Sequence, residues 1–177
     1  MFSQRNATVK SHDLQLTVRD AQTSDAPELC DLLNAIIRIG GTTAFETPFG
    51  VALFTEQFLA GPRVMNCLVA EDESTRRLWG FQLLERDPEL PADWADIATF
   101  ARAEPKVPGI GAALFAATAK RARELGLRAI NATIRADNRG GLAFYGKMGF
   151  EDYKMTQSVP LKDGTPVDRL SKRYWVR

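Results

Sequence analysis

Three strand patterns follow one another in the middle of the chain, with only short segments between them. Residues 67–70, 79–85 and 96–102 are rich in apolar and β-branched or aromatic side chains, and a charged turn at 71–77 joins the first two. Strands joined by short turns pair antiparallel, because a parallel pair requires a long crossover connection. The centre of the chain therefore predicts an antiparallel meander.

The patterns on either side of the meander add four helices and four further strands. Apolar residues at three- and four-residue spacing predict the helices, and alternation or short apolar runs predict the strands. In chain order these elements are a strand at 14–18, a helix at 23–38, a short helix near 55–60 after a loop at 42–51, a helix at 109–125, a strand at 128–134, a helix at 138–148 and a hairpin from Tyr153 that turns at Asp163-Gly164. The predicted order is β-α-α-β-β-β-α-β-α-β-β.

The length and composition are those of an ordinary globular protein, with 177 residues of which 45% are hydrophobic and 25% charged. We expect a flexible N-terminal leader at 1–13 and a single domain at 14–177. The formal net charge is +1, so no overall field attracts nucleic acid or an anionic membrane, and neither is expected as a partner. Because the sequence has neither a membrane-spanning run nor a secretion signal, we expect a cytoplasmic location.

Side chains that bind metals are scarce. His12 is the only histidine, and Cys30 and Cys67 stand far apart without a CxxC pair. Zinc sites need three or four such ligands together, and Ser-His-Asp catalysis needs a histidine in the folded domain. We therefore expect neither a metal nor a catalytic triad.

A glycine-rich turn, Lys106-Val107-Pro108-Gly109-Ile110-Gly111, joins the third strand of the meander to the next helix. The first amides of a helix lack backbone partners, and the helix dipole favours an anion there. The turn lacks a Walker lysine, and Leu114 stands where a dinucleotide fingerprint has its third glycine. The turn is thus either an anion site or simply a strand-to-helix connection.

A second segment, from Asn138 to Phe150, favours the anion-site interpretation of the glycine turn. Asn138 and Tyr145 are seven residues apart, which predicts both side chains on one helix face, with room for a ligand beside Gly140 and Gly141. The two motifs, Lys106-x-x-Gly109-x-Gly111 and Asn138-x6-Tyr145-x3-Gly149-Phe150, resemble those of the GNAT N-acetyltransferases. The resemblance covers residues 14–177 and is strongest to the phosphinothricin and methionine-sulfone acetyltransferase branch.

The resemblance implies an α/β fold with a mixed, mostly antiparallel sheet of about seven strands flanked by about four helices, splayed between the fourth and fifth strands. It also implies acetyl-CoA as co-substrate, with the pyrophosphate on the glycine turn and pantetheine between the splayed strands, and it suggests a homodimer. The implied cofactor-binding residues are Phe100, Ala101, Lys106, Val107, Pro108, Gly109, Ile110, Gly111, Ala112, Asn138, Gly141, Tyr145 and Lys147.

Tyr145 and Asp96 are the candidate catalytic residues. A phenol with a reference pKa near 10 stays protonated at neutral pH and can donate its proton to a departing thiolate. The same branch has a glutamate at what looks like the place of Asp96, which makes Asp96 the candidate base for the substrate ammonium, with Glu46 and Glu85 as rivals. Each of these residues also has a plain structural interpretation, as a core aromatic or a surface acid.

The acceptor implied by the resemblance is the primary amine of a small molecule, an amino acid or a close analogue. Arg86 is the candidate partner for its carboxylate, and Arg63 is a weaker one. Phe45 and Glu46 lie in an aromatic segment at 42–54 that we expect to cap a compact pocket. Two alternatives stay open: acetylation of a protein or peptide amine, and an acyl-CoA-binding module without turnover.

Overall fold

The computed structural model describes residues 14–177, so the predicted leader and His12 lie outside the described residues. A 3₁₀ turn at Thr23–Asp25 precedes the first helix, and a π-helical turn at Thr55–Ala60 extends the second helix. The elements, in the predicted order, are β1 (Leu16–Asp20), α1 (Ala26–Ile39), α2 (Val51–Phe54), β2 (Val64–Asp72), β3 (Leu78–Glu85), β4 (Trp94–Ala101), α3 (Ile110–Glu124), β5 (Ala129–Arg135), α4 (Arg139–Lys147), β6 (Glu151–Pro160) and β7 (Pro166–Trp175).

The strands form one seven-stranded sheet in the order β1-β2-β3-β4-β5-β7-β6. Strands β4 and β5 run parallel, because α3 carries the chain back between them, and the other neighbouring pairs are antiparallel. The mixed sheet and the central antiparallel meander are therefore confirmed.

Helices cover both faces of the sheet. On the face packed by α1 and α2, here called the α1 face, Leu29, Leu33 and Phe58 pack against Phe81 and Phe100. On the opposite face, here called the α3 face, Phe115 of α3 and Tyr145 of α4 belong to a second core with strand residues such as Ile97 and Ile130. Successive strand residues point to opposite faces, so each position along β4 belongs to one core or the other.

The segment from Gly40 to Gly50 is irregular, as expected, but the following helix starts at Val51 and not near residue 55. The earlier start puts Phe54 and Phe58 one turn apart, and both are buried in an aromatic cluster with ring centroids 4.8 Å apart. Asn34 of α1 fixes the end of the loop, because its amide accepts from the Phe49 N–H (2.8 Å) and donates to the Phe49 carbonyl (2.9 Å).

Strand β2 is also longer than the strand predicted at 67–70, because its pairing with β1 and β3 extends over polar residues such as Asn66 and Glu71. Within residues 14–177, no helix combines the length and the apolar character needed to cross a membrane.

Candidate functional site

The parallel strands β4 and β5 hydrogen-bond over a short stretch only. Trp94, Ala95 and Asp96 pair with Ala129, Ile130 and Asn131, and the pairing then stops although both strands continue. The sheet is therefore splayed between its fourth and fifth strands, as expected. The candidate residues lie around this opening.

The glycine turn forms the start of α3 beside the opening. Gly109 has a φ of 89° and precedes the helix, whose first backbone bond runs from the Ala113 N–H to the Gly109 carbonyl (2.9 Å). The N–H groups of Ile110, Gly111 and Ala112 thus have no carbonyl partner within the helix. Lys106 in the turn and Ala112 in the first turn of the helix are exposed, so a solvated anion can reach this helix end.

Gly111 has a packing role as well. A Cβ atom at this position would lie 2.7 Å from the Phe144 ring of α4, so the absence of a side chain lets α3 and α4 approach each other. Val107 packs against a small core with Ala101 and Ile110, which fixes the turn to the sheet.

The structure corrects the expectation that Asn138 lies on the same helix face as Tyr145. Helix α4 begins at Arg139, and Asn138 is its N-cap rather than a residue on the helix face of Tyr145. Its amide accepts from the Gly141 N–H and donates to the Thr42 carbonyl, both at 2.8 Å. A Cβ on Gly141 would meet the Asn138 side chain at 2.6 Å, so the absence of a side chain at Gly141 makes room for the cap.

Tyr145 lies buried on the α3 face, at the open part of the gap. Its hydroxyl is 2.9 Å from Thr99 Oγ1, and Thr99 in turn accepts from Gln82 Nε2 at 2.8 Å. Burial raises the pKa of Tyr145, the Thr99 hydrogen bond lowers it, and the charge of Asp96 raises it. The phenol is therefore protonated at neutral pH.

Asp96 lies at the last paired position of β4, on the α1 face by alternation with Ala98 and Phe100. Its Oδ1 accepts from Asn131 Nδ2 (2.6 Å), and Asn131 Oδ1 accepts from the Tyr153 hydroxyl (2.6 Å). Burial raises the pKa of Asp96 to about 7, the Asn131 hydrogen bond opposes the rise, and the charge of its cross-strand neighbour Glu85 adds to it. Asp96 can therefore exchange a proton near neutral pH.

Polar side chains of β5 and β7 continue this α1 face beyond Asn131. Thr133 and Ser171 are hydrogen-bonded to each other at 3.2 Å, and the next register pair on this face is Arg135 opposite Arg169. Arg135 makes a bidentate ion pair with Asp137 and donates to the Thr43 carbonyl (3.3 Å).

The loop that carries Phe45 and Glu46 lies over this face. Phe45 contacts Phe49 edge-on (centroids 5.2 Å apart) and lies 6.3 Å from the buried ring of Phe100. Glu46 is exposed and accepts from the Lys162 N–H in the β6–β7 turn (2.8 Å). The loop thus bridges α1 and the hairpin.

Other predicted residues lie at the periphery. Arg86 is exposed one residue beyond β3, where its backbone exchanges hydrogen bonds with Arg63. Lys147 is exposed at the end of α4, and Pro108 is exposed in the glycine turn. The fold does not bring Arg86 or Lys147 into a hydrogen-bonded cluster with the central residues described.

Three residues beside the candidate acid and base were not predicted from the sequence: Gln82, Thr99 and Asn131. Their signal was a polar residue inside a largely apolar strand, and the structure leaves Gln82 only 1% and Asn131 only 3% exposed. Such a residue needs hydrogen-bond partners, which a sequence pattern does not identify.

The family comparison gives a match for most of the domain core. The model of the acetyltransferase (GNAT) family matches residues 33–150. No curated protein matches the chain.

Solved structures with the same fold include three acetyltransferases. The N-acetyltransferase from Staphylococcus aureus Mu50 is 18% identical with a TM-score of 0.79, covering 92% of this chain and 99% of that one. Ribosomal-protein-alanine N-acetyltransferase from Brucella melitensis is 22% identical with a TM-score of 0.76, covering 90% and 99%. A GNAT superfamily phosphinothricin acetyltransferase from Sinorhizobium meliloti in complex with AcCoA is 22% identical with a TM-score of 0.78, covering 92% and 89%.

At these identities the solved structures establish a shared fold, whereas the family match rests on the sequence itself and spans two thirds of the chain. The splayed sheet, the glycine turn at α3 and Tyr145 on α4 agree with that match. The chain belongs to the acetyltransferase (GNAT) family.

Proposed function

We propose that the protein transfers the acetyl group of acetyl-CoA directly to the primary amine of a small molecule, an amino acid or a close analogue such as a sulfone, sulfoximine or phosphinate. The observation that carries this proposal is the position of Tyr145 and Asp96 around one gap in the sheet, a neutral phenol on one side and a carboxyl with a pKa of about 7 on the other. These are the two proton-transfer groups that amide formation from a thioester requires.

The residues at the start of α3 fit acetyl-CoA as a substrate. The N–H groups of Ile110, Gly111 and Ala112 are open to a pyrophosphate, and the adjacent Lys106 adds positive charge. The splay leaves unpaired backbone along Phe100 and Ala101 of β4, where an amide-containing pantetheine arm can form strand-like hydrogen bonds. Asn138 would contribute through its cap, by holding the start of α4.

Direct transfer assigns a role to each proton. Asp96, held by Asn131, takes a proton from the acceptor's ammonium group, and the free amine attacks the thioester carbon. The new carbon–nitrogen bond forms as the carbon–sulfur bond breaks, and Tyr145 gives its proton to the departing sulfur. The second proton of the attacking nitrogen leaves to solvent, and Tyr145 recovers its proton from solvent.

The anion site at α3 is tested by a change that leaves the helix packing intact. Because a side chain at Gly111 would strike Phe144, we choose the exposed Ala112 in the first turn. Ala112→Glu places a negative charge where the pyrophosphate would bind, so we expect acetyl-CoA to bind at least ~10-fold more weakly in calorimetry. Ala116→Glu, also exposed and one turn further along α3, should bind like the wild type. Equal binding by all three proteins would place the site elsewhere.

Tyr145→Phe tests catalysis itself. A general acid acts in the transition state, so we expect kcat for thiol release from acetyl-CoA to fall on the order of 10²-fold, with the acetyl-CoA dissociation constant unchanged. Tyr174→Phe is the matched control, because Tyr174 packs in the same core. Binding of acetyl-CoA without thiol release in the presence of any added amine would favour the acyl-CoA-binding module, and release with peptides but not amino acids would favour the protein acetyltransferase.

Asp96 is tested by its pH dependence. With a pKa of about 7, Asp96 should produce an acid limb in kcat/KM at neutral pH, because only the carboxylate accepts the ammonium proton. Asp96→Asn should lose that limb and recover part of its rate at high pH, where free amine is already present. The exposed neighbour Asp93→Asn should keep the wild-type profile. A constant ratio of mutant to wild-type rate across pH would contradict the assignment.

The same substitution has a stability signature. A carboxyl whose pKa rises on folding, here from 3.8 to about 7, binds its proton more tightly in the native state. Its favourable contribution is complete below pH 4 and is lost as the pH rises to about 7. The free energy of unfolding of Asp96→Asn, measured relative to the wild type with urea, should therefore increase between pH 4 and pH 8.

An acceptor with an anionic group needs a cation on the α1 face, and Arg169 meets that need better than Arg86. Arg169 is half-buried opposite Arg135, its side chain makes a single long bond to the Val167 carbonyl (3.4 Å), and within residues 14–177 no carboxylate lies within 4.0 Å of it. Burial and then the charge of Arg135 lower the pKa of Arg169, and the charges of Asp137 and Glu46 oppose this effect. An anionic ligand would relieve this charge repulsion.

Arg169→Ala should therefore raise KM for an amino acid about 10- to 100-fold more than for the amine without the carboxylate, because a hydrogen bond to a charged group contributes about 1.5 to 3 kcal/mol. Arg86→Ala, which removes an exposed arginine, should affect both acceptors alike. The opposite result would assign the carboxylate to Arg86. Equal acceptance of polyamines by the wild type would reject an anionic acceptor.

A further inference from the structure

A chain of three polar side chains crosses the α3 face and ends at the proposed acid. Gln82 of β3 and Thr99 of β4 are register partners, and Thr99 lies beside Tyr145 of α4. Gln82 is 1% exposed and Tyr145 is 7% exposed, so both side chains are shielded from bulk water. The hydrogen bonds of this chain run in one direction, from Gln82 through Thr99 to Tyr145, which follows from the donor and acceptor capacity of each group.

Gln82 approaches Thr99 with its amide nitrogen, at 2.8 Å. An amide NH₂ group donates and does not accept, so the Thr99 oxygen is the acceptor in this contact. The other polar neighbour of that oxygen is Tyr145 Oη, at 2.9 Å. The Thr99 hydrogen therefore has Tyr145 Oη as its acceptor, because the opposite arrangement would leave the hydroxyl hydrogen of this half-buried threonine without an acceptor among the described residues.

We propose that Thr99, oriented by Gln82, is a positioning residue that donates to Tyr145 Oη and thereby leaves the phenol's own hydrogen directed at the thioester sulfur. This inference rests on the proposed function. When the carbon–sulfur bond breaks, the Tyr145 proton passes to sulfur and the phenol oxygen becomes negative. The Thr99 hydrogen bond is then a bond to an anion, which is stronger than the bond made before transfer. The contact thus stabilises the transition state more than the ground state.

The role of Thr99 opposes the effect of burial. An apolar setting makes Tyr145 a weaker acid, whereas donation from Thr99 makes it a stronger one. The α3 face can therefore exclude water around Tyr145 without losing the acidity that proton transfer needs. Gln82 supports this role because its amide donates to the Thr99 oxygen, which leaves the Thr99 hydrogen directed at Tyr145.

The test compares Thr99→Val, which keeps the shape, with Thr99→Ser, which keeps the hydroxyl. We expect Thr99→Val to lower kcat roughly 10-fold with an unchanged acetyl-CoA dissociation constant, and Thr99→Ser to restore most of the rate. Gln82→Met should lower kcat in the same direction but less. An unchanged kcat in Thr99→Val would overturn the proposal. That result is expected if Thr99 instead accepts from Tyr145, because its removal would then leave the phenol hydrogen free for proton transfer.

The decisive measurement is a double-mutant cycle. If Thr99 acts through the phenol, Thr99→Val should have little further effect on kcat in the Tyr145→Phe background, whereas a packing defect would lower kcat there as much as in the wild type. A full loss in that background would overturn the proposal. The result is separable from the proposed function, because a normal rate in Tyr145→Phe itself would reject Tyr145 as the acid before Thr99 is considered.

Discussion

The parallel pairing of β4 and β5 stops after three residue pairs, and the geometry of the site depends on that interruption. The crossover through α3 obliges the two strands to run parallel, and their separation exposes backbone that a continuous sheet would consume. Asp96 stands at the last paired position, whereas Thr99 and its partner Tyr145 stand in the open part. Alternation along β4 sends these side chains to opposite faces, so the proposed base and acid approach the gap from different sides.

Of the two proposed proton-transfer groups Tyr145 is buried and Asp96 is half-buried, and each is held by a neutral hydrogen-bond donor. Asn131 donates to Asp96, and the polarity of the Gln82 contact makes Thr99 the donor to Tyr145. Burial alone would favour the neutral form of both groups strongly, and the donors moderate that preference by favouring the charged form. Because the donors carry no charge, they adjust acidity without forming ion pairs that would have to break during proton transfer.

The periodicity of the sequence was sufficient for the order of elements, because strands and helices of this chain carry their apolar residues at clearly different spacings. The glycine turn and Tyr145 were identifiable by their motif. Asn138 was misplaced because a seven-residue spacing describes two helical turns only if both residues lie inside the helix, and an asparagine at this point caps it instead. The site roles of Thr99 and Asn131 could not be predicted from the sequence, since they depend on hydrogen-bond partners in other strands and in α4.

The loop at 42–49 is tied to four different elements. The Thr42 carbonyl accepts from Asn138 at the start of α4, and the Thr43 carbonyl accepts from Arg135 of β5. Glu46 accepts from the β6–β7 turn, and the backbone of Phe49 is hydrogen-bonded to Asn34 of α1. Between these anchors, Ala44 and Thr47 are exposed. The loop thus separates the residues that fix its path from those that are free to vary. Substitutions at 44 and 47 should therefore change the surface that this loop presents to solvent while the path of its backbone stays the same.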